Sequence, residues 1–281
     1  MSRKTIREAI KGSAALIGGE DARFDAECLL TSVLKKDMAY IAASSETELS
    51  EKEEKELFEL TKRRAEGEPL QYILGEWEFM GLPFKVGKGV LIPRQETELA
   101  AELTIDAVKK RGGVGVVIDV CSGSGCIGIS TAYYEKNASV YAVEKYDEAY
   151  AYLLKNKELN GVKNVTPVKL DMFDGPLKAG LPRPDIIVSN PPYIPEGELP
   201  LLQRELFYEP RSAQVGGADG LIFYRALYSL WLPYLKDGGV MIAEIGEDQA
   251  EKIKEIFKDK DVKVYKDIYG NDRAFTVTKG E

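Results

Sequence analysis

No histidine occurs among the 281 residues. That absence excludes a histidine-based catalytic triad, a histidine proton shuttle and most zinc sites. Cysteine is nearly as scarce. Cys28, Cys121 and Cys126 form no metal-ligand pattern, and an odd count fits a reducing cytosol better than a disulfide framework. No run approaches the roughly 18 apolar residues of a membrane span, and the N-terminus lacks the apolar core of a secretory signal. Positive charge is in deficit too, with a net charge of −8. Residues 1–85 hold 13 Lys and Arg against 17 Asp and Glu, whereas a protein that grips a nucleic-acid backbone carries a basic patch. The one dense basic cluster, Lys62-Arg63-Arg64, fits the solvated end of a helix. The expectation is a cytoplasmic monomer with no metal, no membrane and no direct nucleic-acid partner.

What is present is enough for one large α/β domain and a smaller one. Residues 2 to about 66 read as helical, with Ile6, Ile10 and Ile17, then Leu29, Leu30, Val33 and Leu34, near helical spacing. Gly18-Gly19 separates the first two helices. Ser50 with Glu53 forms a capping box ahead of Leu57 and Leu60. Periodicity leaves a binding module and a structural cap equally open here. Alternating apolar residues between Pro69 and Val86, punctuated by Gly and Pro, predict a β-hairpin. Thr97 is expected to cap a helix running to Lys110. Strands are expected at 114–120, 139–143, 165–169, 185–189, 240–245, 262–267 and 273–278, and helices at 126–136, 147–159, 220–235 and 247–258. This alternation marks a mostly parallel, Rossmann-like α/β sheet of seven strands. No helix separates the last two strands, so the closing strand is expected to be antiparallel. The expected domains are a helical domain over 1–68, a hairpin linker over 69–93 and an α/β domain over 94–281.

The chain is organised around Asp185-Ile186-Ile187-Val188-Ser189-Asn190-Pro191-Pro192-Tyr193. Its apolar run reads as a buried parallel strand, stopped by two prolines that cannot serve a sheet ladder. Asn190 therefore stands just past the carboxyl end of a strand, where open α/β sheets keep their chemistry. Its side-chain oxygen and the Pro191 carbonyl can grip a planar NH2 group, while Tyr193 offers an aromatic face.

Earlier in the chain, Asp119-Val120-Cys121-Ser122-Gly123-Ser124-Gly125 joins a strand to a helix through a tight glycine turn. With Gly128 it satisfies G-x-G-x-x-G, so a dehydrogenase is the rival reading. Asp119, four residues before Gly123, would repel a pyrophosphate but attract an α-ammonium group, directly or through water. Glu144 ends the second strand, where a carboxylate suits two ribose hydroxyls. Asp171 could accept from an adenine amine, with Met172 and Phe173 as apolar contacts.

The order of glycine loop, acidic residue, Asp-Met and Asn-Pro-Pro-Tyr resembles the class I S-adenosylmethionine-dependent methyltransferase fold. Pro-Leu-Gln-Tyr-Ile-Leu-Gly at 69–75, Pro-Arg-Gln-Glu-Thr-Glu at 93–98, Tyr208-Glu209-Pro210, Gly216-Gly217-Ala218-Asp219-Gly220 and Glu244-Ile245-Gly246 with Gln249 narrow it. Across nearly the whole chain these stretches resemble the PrmC/HemK family of bacterial release factor glutamine methyltransferases. The resemblance implies N5 methylation of the glutamine in the Gly-Gly-Gln motif of class 1 release factors, with S-adenosylmethionine leaving as S-adenosylhomocysteine. It implies a catalytic Asn190, Pro191, Pro192 and Tyr193, and a cofactor site of Asp119, Cys121, Ser122, Gly123, Ser124, Gly125, Glu144, Asp171, Met172 and Asn190. It also implies that the helical domain docks the substrate. Asn-Pro-Pro-Tyr also serves enzymes acting on nucleobase amino groups, so adenine N6 or guanine N2 of RNA or DNA is the alternative substrate. Cys121 and Ser122 stand where the family commonly has Gly and Thr, Glu144 replaces Asp, and Gln95 replaces proline. Cys121 raises a question of backbone geometry, because it adopts φ > 0 less cheaply than glycine.

Overall fold

A computed structural model describes residues 3–201 and 204–280. Residues 1, 2 and 281, at the ends of the expected domains, lie outside it. The chain divides into two compact units. One comprises the chain up to Glu76 together with residues 204–208, and the other comprises the remainder from Trp77 onward.

The first unit is helical: α1 (Ile6–Ile17), α2 (Ala22–Leu34), α3 (Met38–Ala43), α4 (Glu51–Ala65) and α5 (Leu70–Leu74). Thr5 and Ser50 each close a capping box, on Glu8 and Glu53, so α1 and α4 begin with their first amides satisfied. Ile6, Leu29, Leu30 and Leu57 fill the interior. The hairpin expected from Pro69 onward starts later, because residues 70–74 form α5, closed by Gly75 in the left-handed region. The basic cluster also differs from expectation. Arg64 is not solvated: its guanidinium bonds Asp25 of α2 and Glu205. Burial raises the Asp25 carboxyl, and the Arg64 contact works against that shift.

In the second unit, β1 (Glu76–Phe79) and β2 (Leu82–Lys85) form the hairpin. Met80 and Gly81 both take positive φ, the two-residue turn that matches strand twist. Phe79, Leu82 and Phe84 are buried in a core with Ala100, Ala101 and Leu153. There follow α6 (Glu98–Lys110), β3 (Val114–Val120), α7 (Cys126–Tyr134), β4 (Asn137–Glu144), α8 (Asp147–Leu159), β5 (Val165–Lys169) and β6 (Ile186–Ser189). After these come α9 (Ile222–Ala226), β7 (Val240–Glu244), α10 (Ala250–Ile256), β8 (Val262–Lys266) and β9 (Asp272–Thr278). The seven-stranded sheet runs β5-β4-β3-β6-β7-β9-β8, all parallel except β9.

Alternate strand residues feed two cores. Val117, Val140, Ile186 and Ile242 face one helical layer, and Ile118, Val143, Ile187 and Met241 face the other. Burial on both faces is what makes these strands read as continuous apolar runs. The helix expected over 220–235 is broken. After α9 the backbone widens to a π-turn at Leu227–Trp231 and tightens at Leu232–Tyr234. Pro233 explains this, since it lacks an N–H and its ring crowds the carbonyl four residues back. The chain winds outward from β3 to β5, then returns to β6 on the other side of β3. The carboxyl ends of β3 and β6 thus meet at a topological switch point, where such sheets bind ligands.

Candidate active site

One cavity opens at that switch point. Cys121, Ser122, Gly123 and Ser124 line it from the loop after β3, Glu144 from β4, and Asp171 and Met172 from the end of β5. Asn190 and Pro192 line it from the loop after β6. Nine of the expected site residues therefore converge, although 71 positions separate Cys121 from Pro192 in sequence. Asp119, Gly125, Pro191 and Tyr193 adjoin these residues in sequence without being among those that line the cavity.

The glycine turn is tight because Cys121 and Gly123 both take positive φ, at 61° and 55°. The doubt raised by Cys121 is thus real: a side chain occupies the left-handed region where glycine is cheaper. Its thiol lies 3.6 Å from the Met172 sulfur. Burial raises the thiol's pKa well above its ordinary value, so it is no nucleophile. Ser124 is tied back from outside the cavity by the fully buried Asn156, whose amide nitrogen donates to the Ser124 carbonyl at 2.9 Å. The same side chain exchanges two hydrogen bonds with the main chain of Lys85 on β2, so hairpin and loop share one anchor.

The carboxylates are held in different ways. Glu144 accepts from the Gly123 N–H at 2.9 Å and the Tyr146 N–H at 2.7 Å. Burial nonetheless raises its pKa. Asp171 is resisted by burial, but Lys145 at 2.8 Å and the Phe173 N–H at 3.0 Å hold it below the ordinary carboxylate range. Asp119 is fully buried. Its Oδ2 accepts from the Gly128 N–H at 2.9 Å, while burial, and then the charge of Glu144, push its carboxyl up to about 7. Its Oδ1 and the Ser122 hydroxyl are buried without partners among the described residues. The Ser122 hydroxyl, in the loop that lines the cavity, fits a ligand that brings a polar partner.

Around Asn190 the geometry is more constrained. Its Nδ2 donates to the Thr97 hydroxyl at 3.0 Å, and Oδ1 has no protein partner among the described residues. Thr97 accordingly is not the side-chain cap expected for α6: it ends a short 3-10 turn and makes no capping bond. The Tyr193 hydroxyl reaches Glu244 Oε1 at 3.4 Å, and its ring packs against the core under α9. Gln249 donates to the Tyr193 carbonyl at 2.9 Å. A Cβ on Gly220 would stand 2.3 Å from that carbonyl, and one on Gly216 only 2.7 Å from the Pro192 carbonyl. Both positions require glycine because two loop backbones touch there. Over the cavity, Glu209 accepts from the Ile92 N–H at 3.0 Å and from Arg94, fixing the segment that leads to Thr97. Local pattern did not reveal Thr97, Glu244, Lys145 or Asn156 as site residues. The signals available were motif membership, for Thr97 in Pro-Arg-Gln-Glu-Thr-Glu and for Glu244 in Glu244-Ile245-Gly246.

A seven-stranded sheet of this order, with a glycine loop after its central strand and Asn-Pro-Pro-Tyr after the next, defines a class I methyltransferase. The first 83 residues contain a match to the PrmC N-terminal domain, at 10–75, and residues 84–213 match the methyltransferase small domain. A release factor glutamine methyltransferase of Clostridium acetobutylicum is 38% identical over 261 residues, covering 91% of each chain. That of Geobacter sulfurreducens is 39% identical over 259 residues, covering 90% of this chain and 88% of the relative. Among solved structures, a methyltransferase from Pyrococcus furiosus shares the fold with a TM-score of 0.52 at 22% identity, over 72% of this chain and 91% of that one. The chain belongs to the release factor glutamine methyltransferase family.

Proposed function

We propose that this protein transfers a methyl group from S-adenosylmethionine to the side-chain amide nitrogen of the glutamine in the Gly-Gly-Gln motif of class 1 release factors. The observation that carries the reading is the Asn190 amide. With its NH2 end committed to Thr97, its oxygen is left as the acceptor at the cavity. An acceptor is what a substrate amide NH2 needs.

The cofactor-binding wall fits S-adenosylmethionine residue by residue. Each Glu144 oxygen keeps a lone pair for a ribose hydroxyl after accepting its backbone N–H. Asp171 keeps acceptor capacity for an adenine amine, and Met172 with Phe173 supplies apolar contact to the base. The orphaned Asp119 oxygen is an acceptor close to the glycine loop, and an α-ammonium group there would favour its ionised form. When bound, the cofactor supplies an electrophilic sulfonium methyl.

An amide nitrogen is a poor nucleophile because its lone pair is delocalised into the carbonyl. Asn190 Oδ1 and the Pro191 carbonyl accept the two substrate N–H groups. These contacts turn the nitrogen lone pair toward the methyl and stabilise the positive charge that develops. Tyr193 backs this pair through its bond to Glu244. No general base is required before attack. The cationic product amide is strongly acidic, and its proton passes to water.

The helical unit serves as the release factor dock. A groove there is floored by Ile10, Phe24 and Met38 and edged by Arg7, Lys11 and Arg23. Phe24 is 50% exposed and Met38 39%, more than a structural cap needs. A protein substrate also accords with the net charge of −8 and with a monomeric enzyme that has no direct nucleic-acid contact. Release factors act on ribosomes, so the enzyme works in the cytoplasm.

The test is peptide mass spectrometry of unmodified release factor after incubation with the protein and S-adenosylmethionine. One added methyl, about 14 Da, on the Gly-Gly-Gln glutamine is expected. Transfer to an RNA or DNA amino group instead would overturn the substrate and keep the chemistry. Removing residues 1–66 should abolish methylation of intact release factor; unchanged activity in that truncation would refute the docking role.

A further inference from the structure

We propose that the tip of the β8–β9 hairpin, Ile268 with Tyr269, is a second contact for the release factor substrate and meets its surface beside the Gly-Gly-Gln loop. The inference rests on the function proposed above. β8 and β9 are joined by a tight turn whose own requirements are met by other residues. The Gly270 N–H donates to the Asp267 carbonyl at 3.0 Å, and the Asp267 N–H donates to the Asn271 carbonyl at 2.9 Å. The Asp267 carboxylate accepts from the Tyr269 and Asn271 N–H groups, at 2.9 and 3.0 Å. Asp at the first position and Gly at the fourth are what such a turn calls for. The two positions between them are unconstrained, and turns ordinarily fill them with polar residues. Here they carry Ile268, 77% exposed, and Tyr269, 65% exposed.

The sheet places this tip on the edge that holds the cavity. Ser189, Ala243, Phe275 and Val264 pair in one row across β6, β7, β9 and β8. Asn190 is the next residue past that row on β6. Because β9 runs against both β7 and β8, β8 leaves the row in the same direction as β6, and Ile268 lies four positions beyond it. At about 3.3 Å per residue the tip stands on the order of 10 Å past the row. Two to three strand spacings, about 10–15 Å, separate it from β6. A glutamine that enters the cavity on the loop of a folded protein brings the flanking surface across this rim.

Local charge specifies what the tip accepts. Lys266 pairs with Asp272 at 2.7 Å and Arg273 with Asp267 at 3.2 Å, so the ions at the base of the turn neutralise one another. What remains is apolar, which suits a patch on a protein and gives no hold on a phosphate backbone. In strand order β7 lies between β6 and β9, and the loop after it exposes Glu247 and Asp248. The matching partner surface is therefore an apolar patch with positive charge beside it, in keeping with the net charge of −8 on this chain. The turn is already ordered by its own hydrogen bonds, so docking against it fixes little further backbone.

The experiment is steady-state methylation of intact release factor at saturating S-adenosylmethionine, with cofactor affinity measured by calorimetry and the melting temperature alongside. Ile268→Ser combined with Tyr269→Ser should raise KM for release factor roughly tenfold. It should leave kcat, cofactor affinity and melting temperature unchanged, the mark of lost binding rather than lost catalysis. Ile268→Leu with Tyr269→Phe should retain the wild-type KM. Glu247→Gln with Asp248→Asn should raise KM by a smaller factor. An unchanged KM in the serine pair overturns the proposal, and so does a loss confined to kcat. Sedimentation of the wild type gives a further check: a dimer that the serine pair dissociates would assign the tip to a second copy of this chain and overturn the proposal too. If the wild type methylates release factor while the serine pair keeps its KM, the role of the tip alone fails. If the wild type transfers no methyl to release factor, the proposed function falls and takes the role of the tip with it.

Discussion

The Gln249 side chain donates to the Tyr193 carbonyl at 2.9 Å while its own oxygen accepts from the Gly246 N–H at 3.0 Å. One buried amide thus joins the loop after β6 to the loop after β7. Gln249→Met keeps the volume and orphans both backbone groups. It should destabilise the protein by about 1–3 kcal/mol, measured by urea denaturation. Turnover should fall by a larger factor than cofactor affinity, because the loop that loosens carries Asn190 and not the glycine turn.

Glu144 uses both carboxylate oxygens to accept backbone N–H groups. Glu144→Gln keeps the shape but must turn its NH2 toward one of those N–H groups. Cofactor affinity should drop by roughly tenfold or more, from the loss of a charge-assisted bond. Glu144→Asp, which retains two acceptors at shorter reach, should lose less. Calorimetric titration with S-adenosylmethionine checks both, and a tighter-binding Glu144→Gln would refute the account.

Cys121 sits at φ 61°. A β-branched side chain there is a genuine outlier, so Cys121→Val should cost about 1–2 kcal/mol and weaken cofactor binding. Cys121→Gly relieves the strain but adds chain entropy and loses the contact with Met172. It should stay within about 1 kcal/mol of wild type. Thermal denaturation of the two variants side by side distinguishes backbone strain from simple loss of packing.

Burial raises Asp119 from 3.8, and Glu244 from 4.5, to about 7. The folded state therefore retains protons that the unfolded chain releases. Their contribution to stability is complete below the unfolded values and is lost as pH rises from about 4 to about 7. Asp171, Asp185 and Asp267 shift the other way, so their contribution is present above the ordinary carboxylate range and lost as pH falls through it. The cofactor-free protein should be most stable near pH 5 and melt at lower temperature by pH 8. Asp119→Asn and Glu244→Gln should each flatten that decline. A wild-type melting temperature that rises from pH 5 to pH 8 would contradict the assignment.

Much of the fold was legible because its signals are local. The central parallel strands bury both faces, so β3 and β6 read as short apolar runs with boundaries correct to about a residue. The capping box at Ser50 and Glu53 lies within one turn, and its bonds form as read. The expectation failed where a local signal met a distant partner. Lys62-Arg63-Arg64 looked like a solvated helix end, yet Arg64 finds Asp25 and Glu205. Thr97 looked like a helix cap, yet its hydroxyl faces Asn190.

By itself the sequence determined the class of chemistry. A chain without histidine, with a glycine turn, spaced carboxylates and Asn-Pro-Pro-Tyr at successive strand ends, carries an order of motifs that resembles the class I methyltransferases. Residue type and order along the chain carry that resemblance, and no folding is needed to read them. Tertiary structure alone decided how the groups are aimed. The switch point brings β3 and β6 side by side, and only in the folded chain do Thr97 and Asn190 become neighbours across 93 positions of sequence. A hydrogen-bond direction depends on the partner's charge and placement, and those are set by strand order, which no local pattern encodes.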